Sequence, residues 1–197
     1  TEETAEINPG AVVKGRLGRH VSFTPKTEEL QGGDVVREEE NVVTPNLPHP
    51  VSLSLRRGEV LGLFGLVGAG RTEVVRSLFG VDPIVSGRLT VGEKSATSVS
   101  PSFMMANGVA LVPEDRLKRG LELDMSIKEN IGRANMDSCS VGPFINQGRE
   151  KAAVRSLAAR LLIRHRSIND PVFSLSGGNQ QKVVLAKWLH RNPSILI

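Results

Sequence analysis

Gly65-Leu-Val-Gly-Ala-Gly-Arg-Thr72 stands between a short apolar run and a helical pattern, and its reading decides the fold. Ahead of it, Val60-Leu-Gly-Leu-Phe64 carries no charge, which predicts a strand buried on both faces. Behind it, Val74, Val75, Leu78 and Phe79 share one side of a helix that should stop at Gly80. Strand, glycine loop and helix form the setting a phosphate-cradling loop requires. Glycines let successive N–H groups turn inward, and the positive end of the helix faces the anion. The spacing fits G-x-x-x-x-G-K-S/T, with Gly65 and Gly70 as the fixed glycines and Thr72 in the hydroxyl position. Arg71 stands where the pattern wants lysine. The arginine fork is longer and planar, so the exchange is not conservative. Taken alone, the stretch also reads as a tight strand-to-helix connection.

On the C-terminal side, Gly87–Val91 predicts a strand, and Ser100 before Pro101 opens a helix that Asn107-Gly108 closes. Val109-Ala-Leu-Val112 predicts a buried strand. Strands alternating with helices point to an α/β core with a mostly parallel sheet. On the N-terminal side, Asp34-Val-Val-Arg37 predicts a strand, and three glutamates with the proline-rich stretch to Pro50 predict a loop. Val51, Leu53 and Leu55 alternate with serines, the mark of a half-buried strand. Residues 1–33 show no sustained period and read as linker.

From Asp124 the pattern is helical. Ser126-Ile-Lys-Glu129 is a capping box, opening a helix over residues 127–134. Val154, Leu157, Ala158, Leu161 and Leu162 keep helical spacing over about residues 148–164. Arg149, Lys151, Arg155 and Arg160 form the solvated face of that helix. Leu175-Ser-Gly-Gly-Asn-Gln-Gln181 precedes a further helix whose buried stripe is Val184, Leu185, Trp188 and Leu189. Free N–H groups, a hydroxyl and a helix dipole would make a second anion-binding surface there, although an ordinary N-cap with glycines has the same composition.

The chain has 197 residues with a net charge of +4, and no long basic run interleaved with aromatics argues for nucleic acid. Cys139 is the single cysteine, so no internal disulfide forms and a reducing compartment is the simpler reading. Nothing around it pairs it with a histidine, which argues against a catalytic thiol. No run of about 18 apolar residues is available to span a membrane.

The two glycine loops together are far more specific than either alone. The first resembles the phosphate-binding loop, and Leu175–Lys182 the signature motif, of ABC-transporter ATPases. With Leu111-Val-Pro-Glu-Asp-Arg116, they resemble more narrowly the second ATPase domain of monosaccharide importers of the ribose, galactose, xylose and arabinose types. Two ATPase domains are fused in tandem in that subgroup. The resemblance covers about residues 34–197 and implies a P-loop NTPase core with an inserted helical subdomain. Residues 1–33 would be linker and tail of a preceding domain, 34–124 the nucleotide-binding core, 125–175 the helical subdomain, and 176–197 the signature helix with the next core strand. The chain opens without methionine and stops at Ser194-Ile-Leu-Ile197 inside that expected strand, so it reads as a fragment truncated at its C-terminus.

The resemblance also implies roles. Gly65, Gly68, Ala69, Gly70, Arg71, Thr72 and Glu73 would hold the phosphates of ATP, with Thr72 a ligand of Mg²⁺. Leu175, Ser176, Gly177, Gly178, Asn179 and Gln180 would reach the nucleotide held by the other ATPase domain of the same chain. The helical subdomain would face membrane permease subunits on the cytoplasmic side of the plasma membrane. Glu114 stands where the family usually has a glutamine that senses Mg²⁺, and an ionised carboxylate there would repel a γ-phosphate. No tyrosine exists, and His49 is a poor platform for adenine. The acidic residues expected after Ile197 are needed for positioning and charge neutralisation in phosphoryl transfer, so no complete catalytic set is present and the fragment alone should be inactive. The alternatives are another ABC-type or P-loop ATPase outside transport, and a non-catalytic interaction module.

Overall fold

A computed structural model describes residues 33–47 and 49–197. The expected linker therefore lies, but for its last residue, outside the described residues. Strand β1, Val35–Val43, is the centre of the N-terminal half. It pairs antiparallel with β2, Val51–Arg56, on one side and with β3, Ser86–Val91, on the other, and β3 pairs with β4, Lys94–Ala96. The resulting four-stranded sheet has the order β2-β1-β3-β4.

The glutamates expected in a loop belong to β1: Glu38 faces Ser54 and Thr90, and Glu39 faces Leu53 and Leu89. Pairing on both edges satisfies the backbone there, which outweighs the low strand propensity of glutamate. Period-two alternation then puts Arg37 and Glu39 on one face, where both are buried and joined at 2.9 Å. Arg37 Nη2 also donates to the carbonyl of Leu78. That carbonyl ends helix α1, Arg71–Leu78, so the ion pair ties the sheet to the helix behind the glycine loop.

A second tie is Arg76, which grips Asp82 through Nε at 3.0 Å and Nη2 at 2.8 Å. Hydrogen bonding from Arg76 holds the Asp82 carboxyl below the ordinary value of 3.8. A depressed carboxylate contributes stability that is complete above its unfolded value and is lost as pH falls through the lower folded one. Asp82→Asn should lower stability by about 1 kcal/mol at neutral pH, a Tm decrease of roughly 2–4 °C. It should also flatten the loss of Tm below pH 3.8, and an unchanged acid limb in thermal scans would exclude this pair as its cause.

Helix α2, Pro101–Ala106, starts as expected, with Ser100 Oγ accepting from the N–H of Phe103 and proline in the first turn. Strand β5, Val109–Ala110, follows and pairs in parallel with β8, Ile195–Leu196. This pair supplies the parallel component of the α/β core, while the largest sheet is antiparallel. Phe79, Leu89, Met104, Val109 and Ile195 join the two parts in one apolar cluster.

The buried strand expected over residues 60–64 is absent. The segment has no regular structure, with Val60 91% and Phe64 99% exposed. A groove of about 800 Å³ separates Leu61 and Leu63 from Ile195–Ile197. No described strand pairs with the segment, and an unpaired strand gains neither ladder bonds nor burial.

The C-terminal half packs α3, Ile127–Gly132, and α4, Gln147–Arg160, against α5, Gly177–Leu189. Ile127, Ile131, Val154, Val172 and Val183 are fully buried between them. The capping box at Ser126 and Glu129 forms in both directions. The helix it opens is shorter than expected, because a 3₁₀ segment, Arg133–Cys139, replaces its last turn. A small hairpin follows, β6 at Ser140–Val141 and β7 at Phe144–Ile145. Helix α4 stops short of residue 164, where Leu162 adopts a left-handed φ of 52°. Of its basic face, Arg149, Arg155 and Arg160 are exposed as expected and Lys151 is half-buried, while Glu150 on the inner side meets Lys128 at 3.3 Å.

Candidate functional site

The glycine loop holds the backbone shape its composition predicts. Gly68 and Gly70 have φ of 86° and 83°, and Gly70 caps α1. Left-handed residues alternating with right-handed ones turn neighbouring N–H groups to one side. A Cβ on Gly65 would come within 2.9 Å of the Ala69 Cβ, so only glycine lets the loop close there. The N–H of Ala69 is taken by Leu66 O at 3.0 Å, which removes one donor from the cradle. Arg71 and Thr72 are exposed, and Glu73 is half-buried in the first turn of α1.

Glu114 reaches this loop. Thr72 Oγ1 donates to Glu114 Oε1 at 3.3 Å, and both groups are exposed. Two hard oxygen donors facing each other beside a phosphate cradle form a donor set suited to Mg²⁺. That chemistry changes the meaning of the carboxylate: next to a divalent cation it is a ligand, whereas next to a bare phosphate it is a repulsive charge. Among the described residues no cluster of three or more His, Cys, Asp or Glu could hold a metal by itself.

The second loop presents Ser176 and Gly178 to solvent at the start of α5, with Gly177 half-buried. Ser176 makes no side-chain cap bond to the helix backbone. Its Oγ instead accepts from Asn179 Nδ2 at 3.0 Å, while Asn179 Oδ1 accepts from the N–H of Arg164 at 3.0 Å. Asn179 therefore leaves the first N–H groups of α5 open, which favours an external anion over an internal cap. Leu175 packs against the helical core, and Gln180 is buried with Nε2 directed at Val172 O at 3.4 Å.

Cys139 does meet a histidine, contrary to the sequence reading. His190 Nε2 lies 3.9 Å from its Sγ, brought there by the end of α5 from 51 residues away. The thiol is buried, which keeps it from outside reagents, and partial burial pushes the half-buried His190 below its ordinary value.

A P-loop fold with an exposed first glycine loop, and a second glycine loop at the open end of a helix, defines the class of ABC-type ATPase cassettes. The pattern of the ABC transporter family matches residues 48–197, and the chain belongs to that family. It is 42% identical over its whole length to the ribose import ATP-binding protein RbsA of Rhodococcus jostii. It is 41% identical over 94% of its length to ribose import ATP-binding protein RbsA 2 of Streptomyces avermitilis. The chain spans 39% and 37% of the lengths of these two relatives. Among solved structures, the ATP-binding cassette MJ0796, in a post-hydrolysis dimer bound to ADP and Pi, superposes with a TM-score of 0.66. That match covers 81% of this chain and 72% of the other at 19% identity, a likeness of fold. No described helix is long and apolar enough to cross a membrane.

Proposed function

We propose that this chain is part of the ATP-binding, energy-coupling subunit of a monosaccharide importer, and that its two loops serve different nucleotides. Ser176, Gly177 and Gly178 complete the ATP site built on the phosphate loop of the other ATPase domain. The loop from Gly65 to Thr72 holds its own nucleotide weakly. The observation that carries this reading is the open start of α5, where Asn179 takes up the Ser176 side chain and leaves the helix N–H groups for an outside ligand.

ATP and Mg²⁺ are the implied ligands, and a bound metal would supply charge neutralisation. Thr72 and Glu114 would hold it, and the N–H groups around Gly68 and Gly70 would orient the phosphates. Arg71 supplies positive charge from a longer stem than the lysine of the pattern. The helical part, residues 125–175, is the surface offered to permease subunits, which would keep the chain on the inner face of the plasma membrane. Nucleic acid is not a partner in this reading.

Arg71→Lys tests the division of labour. In the longer protein it should change ATP turnover by no more than roughly twofold, measured as phosphate release. A gain of about tenfold or more would make the Arg71 site the working one and overturn the assignment.

A further inference from the structure

A hairpin with an apolar tip stands at the head of α4, the most basic of the described helices. Val141 pairs with Phe144 across Gly142-Pro143. Cross-strand partners share a face, so these two apolar side chains stand together, and both are exposed, Phe144 at 76%. Turn tips ordinarily carry polar residues, and apolar surface left in water contributes nothing to folding.

The foot of the hairpin is fixed. Cys139 is buried, its carbonyl accepts from the N–H of Asn146 at 2.8 Å, and Ser140 Oγ donates to the carbonyl of Met136 at 2.8 Å. Asn146 Oδ1 then accepts from the N–H of Arg149 at 3.0 Å. The same residue therefore closes the hairpin and opens α4, which holds the tip beside the first arginine of the helix.

Arg149 and Arg160 lie eleven positions apart, about three turns, and so share one edge of the exposed face. Arg155 takes the other edge. Between the edges are Ala152, Ser156 and Ala159, all exposed and all short, so the arginines rise above a shallow floor. Between Ser140 and Asn169 the one acid is Glu150, which is buried and paired with Lys128, while Asp137 and Asp170 flank the stretch. None of the three arginines is paired with an acid among the described residues. The face is cationic and its charge is not neutralised from within.

Charge complementarity calls for an anionic partner, and the tip narrows the choice. Nucleic acid is held where aromatic rings stand among the cations to stack on bases. Here the arginine face has no aromatic ring, and Phe144 stands apart from it with Val141. Apolar side chains on one side and cations on the other suit the boundary between acyl chains and headgroups, where the two signals together give attachment that neither gives alone. No described helix is long and apolar enough to cross a membrane, so the contact is with its surface.

We propose that the hairpin Ser140–Ile145 and the arginine face of α4 form a contact surface for anionic phospholipid, with Val141 and Phe144 entering the headgroup boundary and Arg149, Arg155 and Arg160 meeting the phosphates. The inference rests on the function proposed above only for bringing the chain to the inner face of the membrane. It uses no residue assigned to nucleotide.

Flotation of the full 197-residue chain with lipid vesicles, in the absence of nucleotide, tests it. Vesicles containing about one-third phosphatidylglycerol should bind the chain about tenfold or more tightly than pure phosphatidylcholine, and about 0.5 M salt should release it. Arg155→Gln/Arg160→Gln should weaken binding about tenfold, and Phe144→Ser about fivefold, with circular dichroism unchanged because every altered side chain is exposed. Phe144→Trp should show a blue-shifted emission on anionic vesicles beyond that of the unsubstituted chain, whose one tryptophan is Trp188. Absence of flotation, equal binding to neutral and anionic vesicles, or binding unchanged by the arginine pair or by Phe144→Ser overturns the proposal. Tighter binding to a single-stranded RNA oligonucleotide than to the anionic vesicles overturns lipid as the occupant. These outcomes are separate from MgATP binding by the same chain, read by equilibrium dialysis, whose failure would count against the nucleotide reading and not against the lipid contact.

Discussion

Ser176→Arg is expected to abolish MgATP-dependent pairing of this chain with the other ATPase domain, a loss of roughly a hundredfold or more in affinity. The reason is distance. Backbone N–H groups bind phosphate only at about 2.9 Å, and Ser176 is exposed at the mouth of the helix that offers them. A side chain several bonds longer would wedge the two surfaces apart before that contact is made. It would also release Asn179, whose Nδ2 now donates to the Ser176 hydroxyl and whose Oδ1 holds the Arg164 backbone. Sedimentation velocity with a non-hydrolysable ATP analogue reads the pairing directly. Circular dichroism separates it from misfolding, since nothing buried is changed. Unaltered nucleotide-dependent pairing in a folded variant would remove the signature loop from the interface.

The two glycine loops were legible because each is a local device. Left-handed backbone at Gly68 and Gly70, and a helix opening at Ser176 with no cap bond of its own, follow from residue types within a few positions. The caps at Ser100 and Ser126 were legible for the same reason. What could not be read was anything that depends on partners distant in sequence. Glu38–Glu40 looks like a loop until β2 and β3 pair on both sides of it. Residues 60–64 have the composition of a buried strand, but composition does not supply the neighbouring strands that would bury it.

The contact of Glu114 with the glycine loop was hidden for a similar reason. It meets Thr72 across 42 positions, which no local pattern announces. Arg116 against Gln180 spans 64 positions, and the only sequence signal was that the Leu111–Arg116 stretch carries two acids and an arginine beyond a buried strand. Cys139 and His190 met unannounced, with the thiol buried and the imidazole half-buried.

Glu39→Leu is the substitution expected to damage the fold most. It would leave the Arg37 guanidinium 2% exposed, with Leu78 O as its one remaining hydrogen-bond acceptor among the described residues. Removing one partner of a buried ion pair costs about 3–5 kcal/mol, which for a chain of this size is a Tm decrease of roughly 10 °C. The intact pair is itself expensive. Burial pushes Glu39 above its ordinary value and Arg37 below its own, and their mutual attraction does not cancel either effect. Arg37 Nε and Nη1 and Glu39 Oε2 also lack partners among the described residues. The double variant Arg37→Met/Glu39→Leu should therefore return to within about 1 kcal/mol of the original or exceed it, since apolar side chains suit a face shared with Leu89 and Val91. The pH dependence gives an independent check with a definite sign. A carboxyl raised in the folded state favours folding below its unfolded value, and that contribution falls away as pH climbs from 4.5 through the raised value. The original chain should lose part of its stability over that interval and the double variant should not. If the double variant is as unstable as Glu39→Leu alone, the pair holds the sheet against α1 by more than its volume, and the contact of Arg37 with the Leu78 carbonyl is the part that cannot be replaced.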